Sequence, residues 1–210
     1  MRWIFLFLLN FLINESSLSQ TKIVLPSNGD RLILEKLSPF YSPSKGEIEE
    51  LMKGEVISIG KVTSKKEKQQ EMFLFISGIH PRSCSRAMRK LSLYENYSNY
   101  MEFIKKSSYD EKTKRISLSI EHFLLPFPMV VSFKIDRITK EGIYPFTFED
   151  GFLKDLNGKV ILYDLDKHCL MSLKADWAGP ETKIPNFVFA TFLQTVGKLG
   201  LEHLIRVSIF

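Results

Sequence analysis

A single amphipathic segment after Pro185 constrains this chain more than any other feature. Over residues 186–206, Thr191, Thr195, Lys198, Glu202 and Arg206 recur at three- or four-residue steps and make a wet face, the period of a helix. The rest is apolar on two flanks. Val188, Phe189, Phe192, Val196, Leu199 and His203 form one, and Ala190, Leu193, Gly197, Leu201 and Leu204 form the other. A dry stripe that wide needs a broad concave partner. Gly197 and Gly200 each weaken a helix by about 1 kcal/mol relative to Ala, so they imply either close approach to that partner or room left for something else.

The partner is written upstream as strands. Residues 55–63 are β-branched and end in the charged loop 64–68, and 72–79 are an apolar run. Ile116, Leu118 and Ile120 alternate with Ser117, Ser119 and Glu121; Met129, Val131, Phe133 and Ile135 alternate with Ser132, Lys134 and Asp136. Such alternation marks half-buried strands. Segments 144–148, 159–163 and 170–177 continue the pattern. Ser44 is placed to N-cap a short helix over 47–53 that Gly54 stops. Pro81 opens a second one, in which Cys84, Ala87, Met88 and Leu91 make one buried stripe. The expected fold class is α+β: a curved antiparallel sheet wrapped around a long C-terminal helix, with two short helices near the start.

The division along the chain follows composition. Arg2, the apolar run 3–13, and Ser17 and Ser19 at −3 and −1 have the form of a signal peptide over 1–19. The run is shorter than the roughly 20 residues that span a bilayer. Pro26, Asn28, Gly29, Pro39 and Pro43 are loop chemistry, so 20–44 reads as an extended lead-in to a domain over 45–210. The expected location is exported, periplasmic or secreted. Cys84 and Cys169, the two cysteines, sit among apolar neighbours and read as buried free thiols; two cysteines in a chain of 210 residues are not a disulfide framework. The net charge of +5 is spread along the chain. It permits transient contact with an anionic membrane surface, Arg82, Arg86, Arg89 and Lys90 being candidates. No nucleic-acid module accompanies it, and a monomer is expected.

Three places, in order, carry a family likeness. The first is Tyr94-Glu-Asn-Tyr97 with Met101, Phe103 and Ile104, after a first helix. The second is Gly151 to Gly158 leading into Val160-Ile-Leu162. The third is the closing helix, ending Leu204-Ile-Arg206. Over about residues 45–206 the chain resembles the START-like superfamily of helix-grip proteins, also called the polyketide-cyclase/dehydrase and lipid-transport superfamily, in its coenzyme-Q-binding branch, and the stretch 46–56 looks like a lead-in of some exported bacterial members. Leu93 stands where that family usually has Asp, and Met88 where Trp is frequent. The resemblance implies a helix-grip fold around an internal hydrophobic site. Its members range from carriers to cyclases, so fold alone does not choose among them.

No phosphate loop, nucleophile elbow or zinc motif is present in the sequence, and neither metal nor cofactor is expected. Seventeen Phe suit apolar cavity walls. Strand alternation and the helical stripe assign the wall to Ile120, Phe133, Trp177, Phe189, Phe192 and Val196, with Met101 and Phe103 at the mouth. His122 continues the inward face of Ile116, Leu118 and Ile120, and His203 lies on a dry flank of the last helix. Together they are placed to orient a carbonyl or quinone, or to act as acid and base. The leading expectation is a non-catalytic binder or carrier of a hydrophobic molecule: a lipid, isoprenoid quinone or polycyclic aromatic. The alternatives are a cyclase, dehydratase or hydrolase acting in the same cavity, and an interaction module whose cavity is filled by side chains.

Overall fold

Eight strands form one antiparallel sheet, and a 23-residue helix lies across its inner face. The computed structural model describes residues 23, 28–121, 129–151, 153–182 and 184–209. Helices α1 (Gly29–Leu37) and α2 (Lys45–Met52) come first, then β1 (Ile57–Lys65) and β2 (Gln69–His80). Helix α3 (Cys84–Leu91), a 3-10 turn at Tyr94–Asn96 and the short α4 (Tyr97–Tyr100) follow. The chain continues through β3 (Ile104–Asp110), β4 (Arg115–Ile120), β5 (Met129–Ile135), β6 (Gly142–Phe148), β7 (Asn157–Leu165) and β8 (His168–Pro180), and closes with α5 (Asn186–Ser208). The strand order is β1-β2-β8-β7-β6-β5-β4-β3. This is the α+β architecture expected from the pattern. Among the described residues, no helix is long and apolar enough to cross a membrane.

Local chemistry accounts for several elements. At the start of α2 the Ser44 hydroxyl accepts the Glu47 N–H at 3.3 Å, and the Glu47 carboxylate accepts the Ser44 N–H at 2.6 Å. That reciprocal capping box satisfies two donors the helix leaves free. In α3, Cys84, Ala87, Met88 and Leu91 are all buried, the stripe its spacing requires.

Strand β2 is apolar almost throughout because both of its faces are covered. Met72, Leu74 and Ile76 join the inner core with α3 and α5. Phe75 and Ile79 join an outer core with Ile33 and Leu37 of α1, Leu51 of α2, and Leu165 and Leu170 of β7 and β8. Alternation along the strand divides these side chains between the two faces.

Two expectations are corrected. The stretch expected to be an extended lead-in contains α1, with Ile33 and Leu37, four residues apart, wholly buried on the outer face of the sheet. A nine-residue helix is too short to hold itself; tertiary contact fixes it, and Asn28 and Pro39 flank it without forbidding it. Cys84 and Cys169 are not free thiols but a disulfide, with Cα atoms 4.7 Å apart and 85 residues between them in sequence. The first turn of α3 sits over the start of β8, and the Cys84 N–H donates to Asp164 at 2.8 Å.

Candidate functional site: an apolar cavity beside the closing helix

Helix α5 is clamped to one side of the sheet. Near its N-terminal end Asn186 accepts from Gln70 Nε2 at 2.6 Å and donates to the Ser64 hydroxyl at 3.0 Å. In the middle Gln194 Nε2 donates to the Gly60 carbonyl at 2.9 Å. A Cβ at Gly197 would lie 2.4 Å from Ile76 Cδ1, so the helix meets β2 there with no room for a side chain. At the C-terminal end Ser208 bonds the wholly buried His80. The imidazole Nδ1 accepts the Arg82 N–H at 3.0 Å. The ring's Nδ1 also lies 3.2 Å from the Arg82 carbonyl, and its Nε2 lies 3.1 Å from Ser208 Oγ, whose own proton goes to the Leu204 carbonyl at 2.6 Å. Burial pushes the His80 imidazole below its ordinary range, so it stays neutral.

With the helix held over β1 and β2, the inner face of the remaining strands is left partly uncovered. The result is a cavity of about 380 Å³, within the range of small-molecule sites. Leu193, Gly197, Gly200, Leu201 and Leu204 of α5 form one wall. Met72, Met88 and Met171 contribute side chains that adapt to varied shapes. One end is aromatic: Phe133 stacks on Phe148 at 5.2 Å and meets Phe146 edge-on at 6.0 Å. A Cβ built on Gly200 meets nothing within 4 Å. The two glycines of α5 thus have different causes, contact at Gly197 and empty space at Gly200.

The Tyr94–Tyr97 segment closes one end. Tyr94 accepts the Ile138 N–H at 3.0 Å and donates to the Asp136 carbonyl at 3.3 Å; Tyr97 donates to the Leu91 carbonyl at 2.7 Å. Burial pushes both hydroxyls far above the ordinary phenol range, so both remain protonated. Arg137 pins this segment from outside. Its guanidinium donates to the Ser92 carbonyl at 2.5 Å, pairs with Glu95 and Glu111, and lies 4.5 Å over the Tyr109 ring.

Of the residues assigned to the site from sequence, Phe133 and Val196 border the cavity. Phe189 is buried and meets Trp177 edge-on at 6.5 Å, and the Trp177 indole donates to the Lys154 carbonyl at 2.9 Å. Met101 is buried in the inner core, with Ile120, Phe103 and Phe192 packed against it, outside the cavity wall. His203 Nε2 donates to the Tyr100 carbonyl at 2.9 Å and its ring faces Phe103 edge-on; it fastens α5 to α4. His122 lies outside the described residues. The wall residues that sequence reasoning left out include Leu193, Leu201 and Leu204, which form the other dry flank of the same helix, and Tyr94, known only through the family likeness. Among the described residues, no group of three His, Cys, Asp or Glu is placed to hold a metal.

No family model and no curated protein matches this chain. Solved structures do. An uncharacterised protein from Bacillus thuringiensis superposes with a TM-score of 0.52 at 10% identity, over 66% of this chain and 99% of that one. The Zhui aromatase/cyclase from Streptomyces sp. R1128 gives 0.52 at 10% identity, over 66% and 91%. The di-domain aromatase/cyclase StfQ of the steffimycin pathway gives 0.51 at 8% identity, over 85% of this chain and 57% of that one. At such identities the likeness shows the fold alone, a curved antiparallel sheet gripping a long closing helix.

Proposed function

We propose that this protein is an exported, non-catalytic, monomeric binder or carrier of a hydrophobic small molecule, held between the sheet and α5. The observation that carries this reading is the apolar cavity of about 380 Å³. A solid core would need no such space, because interiors pack closely and voids of this size cost stability. The two tyrosine hydroxyls in its wall serve the backbone, which favours holding a ligand over transforming it.

The cavity opens beside α5. Val196 belongs to its wall and is 45% exposed, so a ligand can enter along the helix. We read transient contact with an anionic membrane as the route of loading, favoured by the net charge of +5. Export is supported by the sequence of residues 1–19 and by the disulfide, which suits an oxidising compartment.

Organic extraction of the purified protein followed by mass spectrometry tests the main claim. The expected result is an apolar compound approaching one per chain, together with saturable uptake of the neutral probe N-phenyl-1-naphthylamine. A protein that yields nothing and takes up no probe overturns the binder reading. N-terminal sequencing of exported material, expected to begin at Gln20, tests the location. Cosedimentation with anionic but not zwitterionic vesicles tests the membrane contact.

A further inference from the structure

We infer that the cavity selects electrically neutral ligands and rejects the ionised form of an amphiphile such as a fatty acid anion. This rests on the binder reading above and narrows it to a ligand class.

The argument is one of unmet charge. Among the described residues, no Lys, Arg, His, Asp or Glu lines the cavity, and the polar side chains in its wall are Tyr94, Tyr97 and Ser172. The Tyr94 and Tyr97 protons are given to the carbonyls of Asp136 and Leu91. The Ser172 hydroxyl meets that of Ser77, its cross-strand partner, at 2.7 Å. Leu170, two residues before Ser172, belongs to the outer core, so alternation turns this hydroxyl away from the hollow. Arg137, whose guanidinium lies 5.7 Å from the Tyr94 ring centroid, is engaged by Glu95, Glu111 and the Ser92 carbonyl. A carboxylate, phosphate or sulfonate entering this space would leave water and find neither a counter-charge nor a free donor among the described residues, and burying such a charge is prohibitive. An ester, a hydrocarbon or a fused-ring molecule loses little by the same move.

A matched pair of ligands tests this. Methyl laurate and lauric acid differ in the head alone, and the acid ionises near pH 4–5, the ordinary range of a carboxyl group. Displacement of bound N-phenyl-1-naphthylamine is measured for both at pH 5 and pH 8. At pH 8 free imidazoles are also largely uncharged. The ester is expected to displace the probe equally at both values. The acid is expected to weaken on the order of 100- to 1,000-fold at pH 8, because binding is limited to its protonated fraction. Gly200→Arg places a cation at the cavity wall, where a Cβ meets nothing within 4 Å; because the added side chain takes up part of the space, laurate and methyl laurate are compared with each other in that variant by direct calorimetric titration. In that variant laurate binding at pH 8 should recover at least about tenfold relative to the ester, since an opposite charge lowers the cost of burying the carboxylate. Laurate competing as well as the ester at pH 8 in the unaltered protein overturns the inference and leaves the binder reading standing. Failure of the probe and both ligands to bind overturns the binder reading itself.

Discussion

Outside the sheet, α1 and α2 fill the space against Phe75 and Ile79; inside it, α5 leaves about 380 Å³ unfilled. Ile33, Leu37, Leu51, Phe75 and Leu170 are wholly buried on the outer side. Along its 23 residues α5 buries Phe189, Leu193 and Ser208, of which Phe189 alone is nearly as fully enclosed. Both faces draw on the same strand, β2, so the difference lies in the covering helices. Two short helices press flat on the outer face, while the long one stands to one side of the inner face. The outer face is where stability is concentrated, and the inner face gives some of it up for capacity.

The largest expected effect follows directly. Phe75→Ala removes a wholly buried ring stacked 4.6 Å from Tyr41 and should cost about 3–5 kcal/mol in chemical denaturation. Leu201→Ala, at the cavity wall, enlarges an existing hollow and should cost about 1 kcal/mol. Equal losses would erase the distinction between a solid and a hollow face.

Next comes the disulfide, which ties α3 to β8 on the hollow side. Replacing both Cys84 and Cys169 by Ala should cost about 2–4 kcal/mol, measured against the intact protein under non-reducing conditions. A loss near zero would mean that side-chain packing alone holds α3 in place.

His80 gives a smaller and pH-dependent effect. Its imidazole is depressed below the ordinary 6.5, first by burial. The unfolded chain therefore binds a proton that the folded one refuses. The stability this contributes is full above pH 6.5 and is lost as pH falls below it toward the folded value, by at most about 1.4 kcal/mol per pH unit. Glu202 has the opposite sign: burial raises its carboxyl above 4.5, so its contribution is present in acid and fades as pH rises through the carboxylate range. His80→Gln should flatten the loss below pH 6.5 relative to the unaltered protein. An unchanged slope would remove His80 as its source.

Much of the architecture was legible in advance, because half-buried strands and amphipathic helices write their periods into the chain. The alternation of Ile116, Leu118 and Ile120 with serines and the stripe in α3 are of that kind. Helix α1 was not legible: its nine residues are helical because Ile33 and Leu37 reach the outer sheet face, a contact with no local signature. The Cys84–Cys169 pairing depends on two elements 85 residues apart becoming neighbours. At the site, periodicity showed that α5 has two dry flanks but not how the helix is rotated over the sheet. Leu193, Gly197, Leu201 and Leu204 lie on one flank and face the hollow, while Phe189 and Phe192 lie on the other and pack beside it. That rotation is set by the Gln194–Gly60 and Asn186–Gln70 bonds, which are polar and invisible to a hydrophobic pattern.

The smallest effects should come from α5's two glycines, and they should differ in sign. Gly197→Ala gains helix propensity, but its Cβ would sit 2.4 Å from Ile76 Cδ1 and 3.1 Å from Cγ1. Ile76 is buried and must shift, so a net loss of about 1 kcal/mol is expected. Gly200→Ala meets nothing within 4 Å and should gain about 0.5–1 kcal/mol from propensity alone. Thermal unfolding of the two variants side by side checks the signs; a loss at Gly200 would mean that the space there is not empty. Gly200→Leu sharpens the comparison further. It should keep the stability of the alanine variant while its side chain occupies the cavity, so probe uptake should fall by about tenfold or more. Stability and uptake moving in opposite directions at one residue would show that Gly200 keeps space open for a ligand, whereas Gly197 is required by the packing of the helix on the sheet.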